Sequence, residues 1–127
     1  MAELLIETIL HYRTQSKYLL HDFVVMPDHL HLILTPNETL ERAMQFIKGG
    51  SSFRAKKELD RQFEIWQRGF TDHRVRDHAD YIRSKDYLEM NPVRKGLCTR
   101  PEDYPYSSAS GRFVLDPLPQ RLKPREG

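Results

Sequence analysis

A chain of 127 residues, 30% charged and 39% hydrophobic, has the size and make-up of one globular domain with a modest core. Its formal charge of +2 does not by itself announce a nucleic-acid binder, and its single cysteine, Cys98, excludes an internal disulfide framework or a four-cysteine zinc site. No apolar run reaches the length of a membrane span and the start carries no signal-peptide pattern, so the expected setting is a reducing cytoplasm with no membrane partner.

Leu4, Leu5, Thr8, Ile9 and Tyr12 repeat at helical spacing and predict a helix over 2–16. An apolar strand follows over 18–26, Pro27 and Asp28 supply turn chemistry, and a second strand runs over 29–35. So short a connection predicts an antiparallel hairpin. Within it lies His29-Leu30-His31. On a strand, residues i and i+2 share a face, so both imidazoles point one way while Leu30 points into the other layer. Two neutral imidazoles so placed can grip one divalent ion, and they can equally be the wet face of an amphipathic strand.

Residues 36–39 read as a turn and helix start. Leu40, Ala43, Met44 and Ile47 then form an apolar helical stripe, which Gly49-Gly50 is expected to interrupt before Ser51-Ser52 caps a continuation through Leu59. A short extended segment surrounds Trp66, over 63–70. Asp77 is placed to cap a third helix over 78–91, with Pro92 and Gly96 ending it. Tyr87 and Asn91, four apart, share a face of that helix. A half-buried packing tyrosine and a helix-end asparagine are the plain structural readings of these two; a nucleophile and an amide ligand facing the histidines across a groove are the functional ones. Tyr81, one turn and a half earlier, is the competing tyrosine. The segment 104–108 reads as an ordered loop packing its aromatics, and the stretch 116–127, with Pro117, Pro119 and Pro124, as an irregular tail behind a domain over 1–115.

This helix–strand–strand–helix–strand–helix order is an α+β pattern, a small antiparallel sheet covered by helices on one side. Basic residues crowd the middle of the chain, and a basic face can exist beneath a near-neutral total.

Five blocks together resemble the REP-associated tyrosine transposases and the related single-tyrosine insertion-sequence transposases of the His-hydrophobic-His superfamily. They are Val24-Val25-Met26-Pro27-Asp28-His29-Leu30-His31-Leu32, Ala43-Met44-Gln45-Phe46-Ile47-Lys48-Gly49-Gly50, Ile65-Trp66-Gln67-Arg68-Gly69-Phe70-Thr71-Asp72-His73-Arg74, Asp86-Tyr87-Leu88-Glu89-Met90-Asn91-Pro92-Val93-Arg94-Lys95-Gly96-Leu97 and Pro101-Glu102-Asp103-Tyr104-Pro105-Tyr106-Ser107-Ser108. Any one is a weak signal, whereas five in order are specific.

The resemblance implies a ferredoxin-like transposase fold and an enzyme that cleaves and rejoins single-stranded, hairpin-bearing DNA through a covalent 5′-phosphotyrosine. By that match His29 and His31 hold Mg²⁺ or Mn²⁺, Asn91 stands near a third ligand position, and Tyr87 is the nucleophile. Lys48, Arg54, Lys56 and Lys57 are candidate phosphate contacts, and Trp66 and Phe70 candidate stacking platforms, with core packing the larger expectation for Trp66. Relatives act as monomers or homodimers. A catalytically silent or domesticated hairpin-binding protein, and a relaxase or replication-initiator nickase, are the alternatives. Relatives also open with a strand ahead of the first helix, and its absence here is expected to leave a gap in the sheet; a misassigned start, a decayed remnant and replacement by another segment each account for it.

Overall fold

The computed structural model describes residues 2–27, 29–59, 75 and 77–124, the side chains at 52 and 54–59 excepted. The segment around Trp66 and Phe70 lies outside these residues. Three helices, α1 (Ala2–Thr14), α2 (Leu40–Leu59) and α3 (His78–Arg94), pack on a hairpin of β1 (Tyr18–Val25) and β2 (Leu30–Pro36). The hairpin is antiparallel, with Val24 opposite His31 and Phe23 opposite Leu32, and the Met26 N–H closes it by donating to the His29 carbonyl at 2.8 Å.

Register decides which side chains share a layer. The pairing shifts between Leu20 and Asp22, leaving His21 as the extra residue of a bulge. Leu20 and Phe23 therefore enter the same core, which they would not do in an unbroken strand of period two. That core joins them to Leu5, Ile6 and Ile9 of α1 and to Ala43, Met44 and Ile47 of α2. Burial of each large apolar side chain there contributes about 1.5–3 kcal/mol. On the other face, Val24, Met26 and Ile33 pack with Tyr81 and Leu88 of α3.

Helices thus cover both faces of the sheet, where the sequence pattern predicted one. The reason is visible in β1 itself: residues 20–26 are all buried, so neither face of this strand is wet.

Two helices run further than expected. Gly49-Gly50 does not interrupt α2. Gly50 is instead the point where α2 touches α1: a Cβ there would lie 2.7 Å from Tyr12 Cε2 and 3.1 Å from Thr8 Cγ2. Ser51 does not cap a new helix, since its hydroxyl donates to the Ile47 carbonyl at 2.6 Å. In α3, Asp77 caps as expected, accepting from the Asp80 N–H at 2.9 Å. Pro92, however, sits inside the helix, which continues to Arg94. It stops at Gly96, whose φ of +74° suits the left-handed position after a helix. There Leu97 N–H donates to the Pro92 carbonyl and Gly96 N–H to the Val93 carbonyl, the paired bonds of a Schellman ending.

The outer edge of β1 is closed by residues 104–116. Val25 N–H donates to the Tyr106 carbonyl at 2.9 Å, and the Tyr104 hydroxyl donates to the Val25 carbonyl at 2.7 Å. Ser108 Oγ accepts from Phe23 N–H and donates to the Phe23 carbonyl. Asp116 finishes the strip: its N–H donates to the Leu20 carbonyl, its carboxylate accepts from Leu20 N–H, and Arg13 grips the same carboxylate with two bonds of 2.9 Å. Beyond it the chain has one turn of 3-10 helix, Gln120–Leu122, and Leu122 is buried against the α3 side.

Candidate active site

β2 and α3 build the site. The alternation of β2 sends Leu30 and Leu32 to the α1–α2 side, and His31 with Ile33 to the α3 side. The rings of His29 and His31 stand 4.8 Å apart, edge to face at 89°. Both side chains are partly buried. Across the groove α3 presents Tyr87 and Asn91. Asn91 is 4% exposed, and its Nδ2 lies 3.4 Å from His29 Nε2. Tyr87 is 59% exposed, and its ring stands edge-on to His31 with centroids 5.9 Å apart and planes at 86°. The pair, the amide and the tyrosine expected from the sequence are therefore brought together.

Electrostatics favour neutral imidazole at His31. Burial, then the neighbouring His29 and Arg94, push its pKa below the ordinary value. The unprotonated ring keeps a lone pair free for a ligand at neutral pH. Among the described residues no third His, Cys, Asp or Glu joins the histidines. The Asn91 amide reaches His29, and a half-turn of that amide exchanges Nδ2 for Oδ1, an oxygen donor. Two imidazoles and one amide oxygen are a donor set that could hold a divalent ion.

Tyr81 does different work. It is buried at the other end of α3, and its hydroxyl donates to Asp22 Oδ2 at 2.5 Å. Burial, reinforced by Asp22, pushes the phenol far up and holds its proton in place. Burial also raises the Asp22 carboxyl, against the Tyr81 hydrogen bond and the Lys85 charge. Glu89 is raised as well, first by burial and then by Asp22 and Asp86. An ionised Tyr81 next to these acids is disfavoured.

The candidate DNA contacts are less gathered. Lys48 is partly buried on α2, which packs on the sheet face opposite the histidine pair. Arg54, Lys56 and Lys57 continue the same helix, their side chains outside the described residues. Trp66 and Phe70 also lie outside them. One residue that sequence reasoning did not assign joins the site: Arg94, whose guanidinium carbon is 4.2 Å from the Tyr87 ring centroid. Its signal was the spacing i, i+4, i+7 from Tyr87, hidden by ending the helix before Pro92.

The family model for IS200-like transposases matches residues 1–91, a span that contains both histidines, Tyr87 and Asn91. The chain belongs to the IS200-like transposase family. Among curated proteins, the REP-associated tyrosine transposase of Escherichia coli K12 is 28% identical over 127 residues, covering 90% of this chain and 71% of that protein. A Haemophilus influenzae protein, provisionally named a REP-associated tyrosine transposase, is 31% identical over 96 residues, covering 66% of this chain. The chain spans about half the length of that Haemophilus protein, 54% by the matched region. No solved structure matches the chain. The chain is α+β, and no described helix is long and apolar enough to cross a membrane.

Proposed function

We propose that this IS200-like chain is a strand transferase that cleaves and rejoins single-stranded, hairpin-bearing DNA through Tyr87. The observation that carries the reading is the exposed Tyr87 ring set edge-on to His31, with Asn91 reaching His29 beside it.

A phosphodiester resists attack because its own charge repels a nucleophile. His29 and His31, with Asn91, would hold Mg²⁺ or Mn²⁺, which supplies charge neutralisation and orientation at a non-bridging phosphate oxygen. Tyr87 attacks phosphorus with its phenol oxygen, its proton passing to solvent. The new bond joins that oxygen to the 5′-phosphate. The bond that breaks is the one from phosphorus to the 3′-oxygen, which leaves and takes up a proton as a 3′-hydroxyl. A phenol is a weak nucleophile until its proton is lost; burial beside Asp22 holds the proton on Tyr81, whereas Tyr87 stands exposed where a substrate can reach it. The phosphotyrosine keeps the energy of the original diester, so a second 3′-hydroxyl reverses the step and joins a new strand.

Incubation of the chain with a labelled hairpin-bearing single strand and Mn²⁺ tests the reading. A covalent protein–DNA adduct is expected, with loss of it in Tyr87→Phe. Hairpin binding with no adduct in the wild-type chain makes it a silent DNA-binding protein instead. Equal cleavage of strands without hairpins favours a nickase of the relaxase or replication-initiator kind.

A further inference from the structure

Tyr87, Asn91 and Arg94 follow one another at four and then three residues, so they form a single stripe on α3. Arg94 holds Tyr87 at two points. Its guanidinium lies over the ring, 4.2 Å from the centroid, and its Nη2 donates to the Tyr87 main-chain carbonyl at 2.7 Å. One side chain thus ties down both the backbone and the ring of the same tyrosine.

An exposed tyrosine on a helix has two accessible χ1 positions, and in this structure the ring stands edge-on to His31. The Arg94 guanidinium over the ring is an attraction available in that orientation. A planar guanidinium stacks on an aromatic face in a way an ammonium does not, and its remaining donors stay free to anchor on the carbonyl. The local fold supports the reach. Pro92 has no N–H to give the Leu88 carbonyl, yet the helix runs on to Arg94 and closes in the Schellman ending at Gly96. A positive side chain in the last turn also meets the negative end of the helix.

We propose that Arg94 is a positioning residue for Tyr87, stapling its ring in the orientation that faces the histidine pair. This rests on Tyr87 being the nucleophile proposed above. In the full chain labelled with ¹³C-tyrosine, the Tyr87 ring is expected to show one ordered rotamer, and to average between rotamers in Arg94→Ala. With hairpin DNA at saturation, adduct formation in Arg94→Ala falls about five- to ten-fold while DNA affinity changes less than about two-fold. Arg94→Lys, which keeps the charge without the planar fork, recovers part of the rate.

An equally ordered ring in Arg94→Ala, or a loss of rate that follows weakened DNA binding alone, overturns the proposal. A wild-type chain that forms no adduct overturns the strand-transfer reading instead, and the ring measurement still decides what Arg94 does.

Discussion

The ring of Tyr87 stands edge-on to the imidazole of His31, centroids 5.9 Å apart, across the groove between α3 and the sheet. The other tyrosine of the same helix, Tyr81, is locked by its hydroxyl to Asp22. One helix therefore carries an exposed phenol beside two imidazoles and a buried phenol beside a carboxylate. Tyr87→Phe should abolish the covalent adduct with little change in stability. Tyr81→Phe should keep the adduct and cost about 1–2 kcal/mol, because it strands a buried carboxylate without its donor. Adduct gels and urea denaturation of both variants check this pair of outcomes.

Metal binding should depend on the two imidazoles together. The His29→Ala, His31→Ala double variant should lose Mn²⁺ binding measured by calorimetry, and Asn91→Ala should weaken it. Wild-type protein should bind Mn²⁺ more tightly than Mg²⁺, since imidazole nitrogen suits the harder ion less well. Acid should weaken binding too, because a protonated His31 has no lone pair to offer. Unchanged Mn²⁺ affinity in the double variant would remove the site.

The Asp116 clasp makes a prediction with a sign in pH. Arg13, hydrogen-bonded to it, holds the Asp116 carboxyl below the usual carboxylate range, with Leu20 N–H adding to the effect. A carboxyl depressed in the folded state contributes stability that is complete above its unfolded value of about 3.9 and is lost as pH falls through the folded value. Asp116→Ala should therefore destabilise the chain by about 1–3 kcal/mol at pH 7. The gap between wild type and variant should stay constant down to about pH 4 and close below it, as followed by thermal melts across pH.

Adjacent glycines in α2 should respond in opposite directions. Nothing lies within 4 Å of a Cβ built on Gly49, so Gly49→Ala should stabilise by about 0.5–1 kcal/mol through helix propensity. A Cβ on Gly50 meets the Tyr12 ring, and Gly50→Ala should destabilise by about 1–3 kcal/mol from overpacking. Denaturation midpoints of the two single variants give the comparison directly.

The sequence carried the hairpin, the Asp77 cap and the facing of His29 and His31, because each is written in local residues and a fixed period. It misled where a local rule met a tertiary contact. Gly49-Gly50 reads as a break only if the helix has no neighbour; with Tyr12 pressed against it, Gly50 is the residue that lets two helices approach. Pro92 reads as a stop, yet it costs α3 one backbone bond near the end of the helix, and Arg94 was missed with that last turn. The second helical face was hidden by the His21 bulge, which reverses the alternation that a period of two would give.

The edge strip over 104–116 joins partners far apart in the chain: Tyr104 with Val25, Ser108 with Phe23 and Asp116 with Arg13. The match to the IS200-like family ends at residue 91, before Tyr104, Ser108 and Asp116. As the polypeptide emerges from a ribosome, β1 is made early and its open side then waits for some eighty residues or more of further synthesis before it is closed. Until then it is a template for any other strand, including that of a neighbouring nascent copy. A fragment cut at the end of the family match keeps His29, His31, Tyr87 and Asn91, but it loses Arg94 and would carry that unsealed flank permanently.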